Sequence, residues 1–171
     1  MGVRTIFNLL GPLTNPAGIR RQLLGVYDEA WVKPVADVLH KLGSEHVLVV
    51  HGDGGMDEIS LSGATHVAEL KNGQVTEYEI NPGLFGLQAQ PIDEIVVDGP
   101  EQSLAMIQSV LANNADAARD IVVMNAGAAL YVGGIAESIE DGVGAAGATL
   151  ASGAAAKKLE QLVALTQDLK K

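Results

Sequence analysis

Apolar and polar positions in the first third of the chain predict a strand, a helix and a second strand. Residues 22–27 (QLLGVY) form a short apolar run, and residues 45–50 contain the continuous run HVLVV, which is typical of a strand buried on both faces. Between them, apolar side chains recur at helical spacing from about Glu29 to Leu42, after Asp28 as a candidate helix cap. This order predicts a βαβ unit with parallel strands.

Two alternating runs further along the chain predict a β-hairpin. Residues 65–70 and 74–80 flank an Asn-Gly turn at Asn72, and residues 94–97 are predicted to form a further strand. The remaining chain has helical spacing and predicts helices over about 101–112, 116–132, 137–147 and 152–169. The pattern therefore predicts an α/β fold with a parallel sheet core, an added β-hairpin and flanking helices.

The strongest candidate for chemistry is the loop 51–58 (HGDGGMDE), which follows the second predicted strand. Active sites of open α/β sheets lie at the carboxyl ends of strands. Three glycines there permit unusual backbone angles and close ligand approach: Gly52, Gly54 and Gly55. Mg²⁺ binds carboxylate oxygens together with waters and substrate phosphates, which suits the adjacent Asp57 and Glu58, with Asp53 as a candidate third ligand. The residues alone leave two interpretations open, a magnesium site and a solvated acidic loop.

Two further patterns favour structural interpretations. Residues 142–147 (GVGAAG) match the dinucleotide fingerprint G-x-G-x-x-G, but that motif requires a preceding strand and residues 135–141 read as polar helix. Small residues for close helix packing are the preferred interpretation. His51 either supports a ligand site or is a turn residue with a satisfied hydrogen bond, and we favour the second. The histidines lack zinc spacing, and neither a nucleophile elbow nor a Walker A sequence is present.

Charge and composition restrict the class of protein. A formal net charge of −10 disfavours nucleic-acid binding, and the apolar runs are too short to cross a bilayer. No signal-peptide pattern is present at the amino terminus, and the absence of cysteine excludes disulfides and thiolate metal sites. We therefore expect a single-domain cytoplasmic protein that binds neither nucleic acid nor membranes.

Three segments resemble the anthranilate phosphoribosyltransferase family. Residues 4–17 (RTIFNLLGPLTNPA) resemble its signature segment, residues 54–61 (GGMDEISL) resemble its acidic metal motif, and residues 125–130 (NAGAAL) resemble a late helical segment. The resemblance covers essentially the whole chain. A match as long as 4–17 is far more specific than the short motifs considered above.

The resemblance implies a nucleoside phosphorylase/phosphoribosyltransferase-like fold, with residues 1–171 as one domain, the C-terminal part of the family's α/β domain, without its N-terminal helical domain. It implies a homodimeric glycosyltransferase that transfers the phosphoribosyl group from phosphoribosyl pyrophosphate to anthranilate in tryptophan biosynthesis. By resemblance, Asp57 and Glu58 hold Mg²⁺ against the donor's pyrophosphate, and Gly11 contacts substrate. No catalytic acid, base or nucleophile is assigned.

The family's glycine-rich pyrophosphate loop, its Asn-Arg-Ser segment and its anthranilate-binding arginine have no match in this sequence. We therefore expect the chain alone to lack useful transferase activity and to expose apolar surface that favours self-association. Two alternatives are a pyrimidine nucleoside phosphorylase-like enzyme and a non-enzymatic, nucleic-acid-binding relative of the same fold. The segment 11–16 together with the acidic pair argues against the first, and the negative charge and the retained acidic pair argue against the second.

Overall fold

The computed structural model describes residues 11, 13–15 and 17–169. Most of the segment 4–17 therefore lies outside the described residues. The regular elements in chain order are β1 (Arg21–Gly25), α1 (Val32–Lys41), β2 (His46–Gly52), β3 (Thr65–Lys71), β4 (Gln74–Ile80), α2 (Pro100–Leu111), α3 (Ala117–Val132), α4 (Ile139–Ala151) and α5 (Ala154–Asp168). Short 3₁₀ turns cover Glu29–Trp31, Pro82–Phe85 and Ile92–Ile95.

The four strands form one sheet in the order β1-β2-β3-β4. β1 and β2 are parallel neighbours, with Leu23 opposite Leu48, so the predicted βαβ unit is confirmed. β3 pairs antiparallel with both β2 and β4. The predicted hairpin turn is also confirmed, because Asn72 and Gly73 have φ values of 53° and 75°, which a two-residue turn between twisted strands requires.

The central strand β2 is buried on both faces, as its continuous apolar run predicts. Val47 and Val49 pack with α1 in one apolar cluster, whereas Leu48 and Val50 pack with α3 and α4 in the other. Asp28 caps the helical turn before α1, since its carboxylate accepts a hydrogen bond from the Ala30 amide at 3.0 Å. The sheet thus separates two cores, and its carboxyl edge carries the acidic loop.

The helices after the hairpin occupy nearly the predicted ranges, and α3 packs against α4 through glycines. A Cβ atom on Gly142 would collide with the carbonyl of Gly127, and one on Gly127 would collide with the backbone of Val143. The segment 142–147 lies inside α4, so helix packing rather than dinucleotide binding explains its small residues. In the part of the chain that the structure describes, no helix is both long and apolar enough to cross a membrane.

The predicted strand at residues 94–97 is wrong, because Ile92–Ile95 form a 3₁₀ turn. Positions three apart lie on the same side of such a turn, so Ile92 and Ile95 can both face the protein, and Ile95 packs against the larger core. Val96 and Val97 follow this turn outside any strand, and Val96 is 62% exposed. The apolar residues of this segment therefore anchor a loop.

Candidate functional site

Asp57 and Glu58 lie on an exposed loop directly after β2 and its tight turn. The Gly52 amide donates to the Met56 carbonyl at 2.9 Å, and the Met56 amide donates back to the Gly52 carbonyl at 3.1 Å. Gly54 and Gly55, inside this turn, have φ values of 79° and 77°, which side chains with a Cβ rarely adopt. The predicted position of the acidic pair at the carboxyl end of β2 is confirmed.

Two glycines at the ends of the parallel strands allow the acidic loop to lie against the sheet. A Cβ atom on Gly25, the last residue of β1, would collide with the carbonyl of Asp57. A Cβ atom on Gly52 would collide with the carbonyl of Glu58. The sequence drew attention to Gly52 but not to Gly25, because the short run 22–27 gives no sign that another segment crosses its end.

Helix α3 fixes the backbone immediately after the acidic pair. The Ile59 amide donates to Asn125 Oδ1 at 2.9 Å, and Asn125 Nδ2 donates to the Ile59 carbonyl at 3.0 Å. The next amide, that of Ser60, donates to Thr65 Oγ1 at 3.0 Å. Ile59, Ser60 and Thr65 are buried, so the loop is anchored in the core on this side. The sequence places residues 125–130 in a predicted helix and in a segment of family resemblance, but it does not predict this contact of Asn125.

The acidic pair carries negative charge that no cation among the described residues offsets through an ion pair. The ion pairs of the described residues include neither Asp57 nor Glu58. Desolvation and then the charge of Asp57 raise the pKa of Glu58 above its ordinary value. Glu58 borders an apolar groove of about 380 Å³, whose lining includes Ile95, Met106, Ile107, Val110 and Ile121. An uncompensated pair of this kind suits a cation ligand.

The other polar residues of the loop have structural partners. Asp53 Oδ2 accepts a hydrogen bond from Ser62 Oγ at 3.2 Å, and no group of three His, Cys, Asp or Glu side chains within the described residues is arranged to hold a metal. The structure therefore does not bring Asp53 together with the acidic pair as a ligand set. His51 lies in β2 rather than in a turn, because the strand continues to Gly52. Its Nδ1 lies 2.8 Å from the Val26 carbonyl oxygen, so its hydrogen bond is satisfied as expected.

Gly11 is exposed, and its carbonyl accepts hydrogen bonds from the amide and Oγ1 of Thr14, both at 3.3 Å. The following residues Leu13 and Asn15 line a groove with Ser44, which precedes β2. Asp57 and Glu58 follow the other end of β2, so the structure does not join Gly11 to the acidic pair. Its contact with substrate stays a prediction.

Comparison with known proteins places these features in a family. The model of the family described as "Glycosyl transferase family, a/b domain" matches residues 1–156. The anthranilate phosphoribosyltransferase of Halorhodospira halophila is 53% identical over 169 residues, which cover 99% of this chain and 49% of that protein. The enzyme of the same name from Methylobacillus flagellatus is 55% identical over 167 residues, covering 98% and 49%.

Solved structures agree with this assignment. Anthranilate phosphoribosyltransferase from Thermus thermophilus superposes with a TM-score of 0.86 at 41% identity, covering 95% of this chain and 48% of that one. The Saccharomyces cerevisiae enzyme in complex with PRPP and Mg gives a TM-score of 0.81 at 26% identity, covering 93% and 46%. The chain spans about half the length of the curated relatives that it matches. The matched residues, the shared phosphoribosyltransferase/nucleoside phosphorylase-like fold and the acidic loop together show that the chain belongs to the glycosyl transferase family, as its a/b domain.

Proposed function

We propose that a protein of the relatives' length containing this chain transfers the phosphoribosyl group from phosphoribosyl pyrophosphate to anthranilate, in tryptophan biosynthesis. The observation that carries the proposal is the exposed Asp57–Glu58 pair, which forms no ion pair with any residue that the structure describes and is held on a fixed loop. The chain is about half identical to anthranilate phosphoribosyltransferases along nearly its whole length. In this reaction the anthranilate nitrogen bonds to the anomeric carbon of the ribose while the bond to pyrophosphate breaks. The products are N-(5-phosphoribosyl)anthranilate and pyrophosphate, with release of the proton that the anthranilate nitrogen loses.

The acidic pair fits the Mg²⁺ that this chemistry uses. Asp57 and Glu58 are adjacent carboxylates without an ion-pair partner among the described residues, and the pKa of Glu58 is raised by desolvation and then by the charge of Asp57. A divalent ion would relieve this repulsion. Mg²⁺ in phosphate-transfer sites is commonly held by one or two carboxylates plus waters and substrate phosphates, so no third protein ligand is required. Bound there, the ion would stabilise negative charge that develops on the departing pyrophosphate.

The protein's own contribution is positioning. Asp57 and Glu58 would hold the metal, and the loop's anchoring by Gly25, Gly52 and Asn125 keeps them in place. The anthranilate nitrogen is itself the nucleophile, so no side chain has to form a covalent intermediate, and we assign no catalytic acid or base. Most of the rate enhancement then comes from holding the two substrates in register.

Four further proposals rest on the family resemblance. Gly11 contacts substrate, the full-length enzyme is a homodimer, it works in the cytoplasm, and this chain alone lacks useful activity. A chain that spans about half of its relatives supplies only part of their residues, which supports the last of these. No specific observation favours the phosphorylase-like alternative or the nucleic-acid-binding alternative.

A chimera tests the proposed function. The amino-terminal half of the Halorhodospira halophila enzyme is fused before this chain, since the two chains are 53% identical over 169 residues. The purified chimera is offered anthranilate with phosphoribosyl pyrophosphate and Mg²⁺, and separately a pyrimidine nucleoside with inorganic phosphate. We expect loss of anthranilate fluorescence in the first mixture and no free base in the second. Phosphorolysis without anthranilate consumption would overturn the proposal.

A further inference from the structure

We propose that Asn125 is the positioning residue of the metal site: by clamping Ile59 it fixes the backbone that carries Asp57 and Glu58 before any ligand arrives. The inference rests on the proposed function, because it assigns the acidic pair to a metal. Asn125 itself does not touch the metal or the substrates in this account. It acts through the one residue that follows Glu58.

In this clamp, the side chain of Asn125 bonds both backbone polar groups of Ile59, the amide and the carbonyl. Asn125 Oδ1 accepts from the Ile59 amide at 2.9 Å, while Nδ2 donates to the Ile59 carbonyl at 3.0 Å. The second Nδ2 proton is directed to the Ile121 carbonyl, also at 3.0 Å, on the helix that bears Asn125. If the Asn125 amide were flipped, Nδ2 would face the Ile59 amide, which is also a donor, and Oδ1 would face the carbonyl oxygens of Ile59 and Ile121. Only one orientation therefore satisfies all three hydrogen bonds.

The surroundings make this contact hard to replace. Ile59 is 1% exposed and belongs to the larger core cluster, and Met124, next to Asn125, is fully buried. Ile59 is thus closed to solvent while Asn125 itself is half-buried, and hydrogen bonds in such surroundings are stronger than in solvent. Asn125 ties the loop to the helix that packs across the sheet.

The contacts of the acidic loop with Gly25 and Gly52 are steric and do not replace the hydrogen bonds of Asn125. Gly25 and Gly52 let the carbonyls of Asp57 and Glu58 approach the strands, but they supply no hydrogen bond from a side chain. Two adjacent carboxylates repel each other, so a free loop would spread them and a cation would have to order it on binding. A loop ordered in advance avoids that cost, which is the general advantage of preorganised sites.

A purely structural asparagine would affect stability and leave metal affinity unchanged in the folded protein, and this difference defines the test. Mn²⁺ serves as the paramagnetic probe because it takes oxygen ligands as Mg²⁺ does, and inorganic pyrophosphate is added as the phosphate ligand. In the ¹⁵N-labelled chain, line broadening of the amide signals of residues 57–59 is followed against Mn²⁺ concentration. Hydrogen exchange of the Ile59 amide is measured on the same samples.

The variants are Asn125→Ala and Asn125→Ser, compared with Tyr131→Phe as the control. Tyr131 lies on the same helix, and its replacement by Phe also removes a strong contact, since the Tyr131 hydroxyl bonds Glu69 at 2.6 Å. The partners of Tyr131 are on the sheet and not on the acidic loop: Glu69, Lys71 and His46. We expect both Asn125 variants to bind Mn²⁺ at residues 57–59 at least about tenfold more weakly, the usual effect of removing a group that orients metal ligands. Their Ile59 amide exchanges faster, whereas Tyr131→Phe leaves both readings at the wild-type values.

The possible results separate this inference from the proposed function. Wild-type Mn²⁺ affinity in a folded Asn125→Ala chain overturns the positioning role and leaves the metal assignment intact. Absence of broadening at residues 57–59 in the wild-type chain, at every pyrophosphate concentration, overturns both the positioning role of Asn125 and the assignment of a metal to Asp57 and Glu58. If circular dichroism shows that Asn125→Ala is unfolded, Asn125→Ser decides by the same criterion, because its hydroxyl can still satisfy the Ile121 carbonyl while it cannot bond both backbone groups of Ile59.

Discussion

Glu69 forms hydrogen bonds with polar side chains of both the sheet and α3, and its own side chain is only 12% exposed. Its Oε1 accepts from the Tyr131 hydroxyl at 2.6 Å and lies 2.9 Å from His46 Nε2, while its Oε2 accepts from the Tyr78 hydroxyl at 2.9 Å. Desolvation alone would raise the pKa of Glu69, but the hydrogen bonds from Tyr131, His46 and Tyr78 outweigh it and lower that pKa. The ionised form of Glu69 therefore stabilises the fold.

This network predicts how stability depends on pH. Because the folded-state pKa of Glu69 is lowered, its contribution is present above the ordinary value of 4.5 and is lost as the pH falls through the folded-state pKa. We expect Glu69→Gln to reduce the free energy of unfolding by about 2 kcal/mol at neutral pH, the scale of hydrogen bonds to a charged group. Below the folded-state pKa the difference from wild type should shrink. Urea unfolding at several pH values measures it.

The control for this prediction is Glu160→Gln, a change of the same chemistry on the exposed surface of α5, which should have little effect at any pH. An equal loss for Glu69→Gln at neutral and acid pH would contradict this role of Glu69.

At alkaline pH, burial first and then the charge of Glu69 raise the pKa of Tyr78. Its contribution is therefore full below the ordinary value of 10.0 and declines as the pH rises above it.

At the residue scale, the sequence revealed the acidic pair but not the residues that hold it. Asp57 and Glu58 follow an apolar run and a cluster of glycines, and both signals are local. Asn125 contacts a residue 66 positions away in the chain, and Gly25 meets a segment that returns to it only after α1 and β2. A single sequence contains no periodicity that reports such long-range contacts.

Among the elements, the packing of α3 against α4 depends on glycine at positions 127 and 142, where a Cβ atom would collide with the other helix. We expect Gly142→Ala to destabilise the fold by roughly 1–3 kcal/mol, because its Cβ would meet the carbonyl of Gly127 and the packed helices would have to separate. Gly144→Ala on the same helix should instead be neutral or stabilise by up to about 1 kcal/mol, since nothing lies within 4 Å of that Cβ and alanine favours helix. Denaturant midpoints distinguish the two. Effects of the same sign would count against the packing assignment.

Most helices and strands could be predicted from the sequence, whereas the segment 94–97 could not. β2, the hairpin and the helices are each recognisable from a spacing repeated over several residues, and these signals agree with the tertiary contacts. Residues 94–97 offered only a short apolar run. A run of that length cannot distinguish a strand from a 3₁₀ turn, and Pro91 together with the absence of an alternating pattern left the outcome to the packing of Ile95 against the core.

For the molecule as a whole, α5 presents an apolar surface to solvent. None of its described residues is buried, and four large apolar side chains are between 40% and 58% exposed: Leu159, Leu162, Val163 and Leu165. Beside its first turn, an apolar groove of about 410 Å³ lies between α3 and α4 and extends to Ala155. Exposed apolar surface of this kind promotes association in water.

We therefore expect the isolated chain to self-associate as its concentration rises. The double variant Leu162→Lys with Val163→Lys should reduce association, because it places two charges on the apolar surface. Gln161→Lys with Gln167→Lys adds the same charge at polar positions of α5 and should reduce it less. Sedimentation velocity over a range of concentrations measures the effect. A chain that remains monomeric throughout that range would contradict the prediction.

The central claim is that Asp57 and Glu58 hold the metal ion on the pyrophosphate of the donor. It is tested most directly by the Mg²⁺ dependence of transferase turnover in the chimera, with Asp57→Ala and the control Asp53→Asn, which removes a carboxylate from the same loop that is already bonded to Ser62. Asp57→Ala should lower turnover by at least about tenfold, most at limiting Mg²⁺, while Asp53→Asn stays close to the parent chimera. Equal turnover of Asp57→Ala and the parent chimera at limiting Mg²⁺ would contradict it.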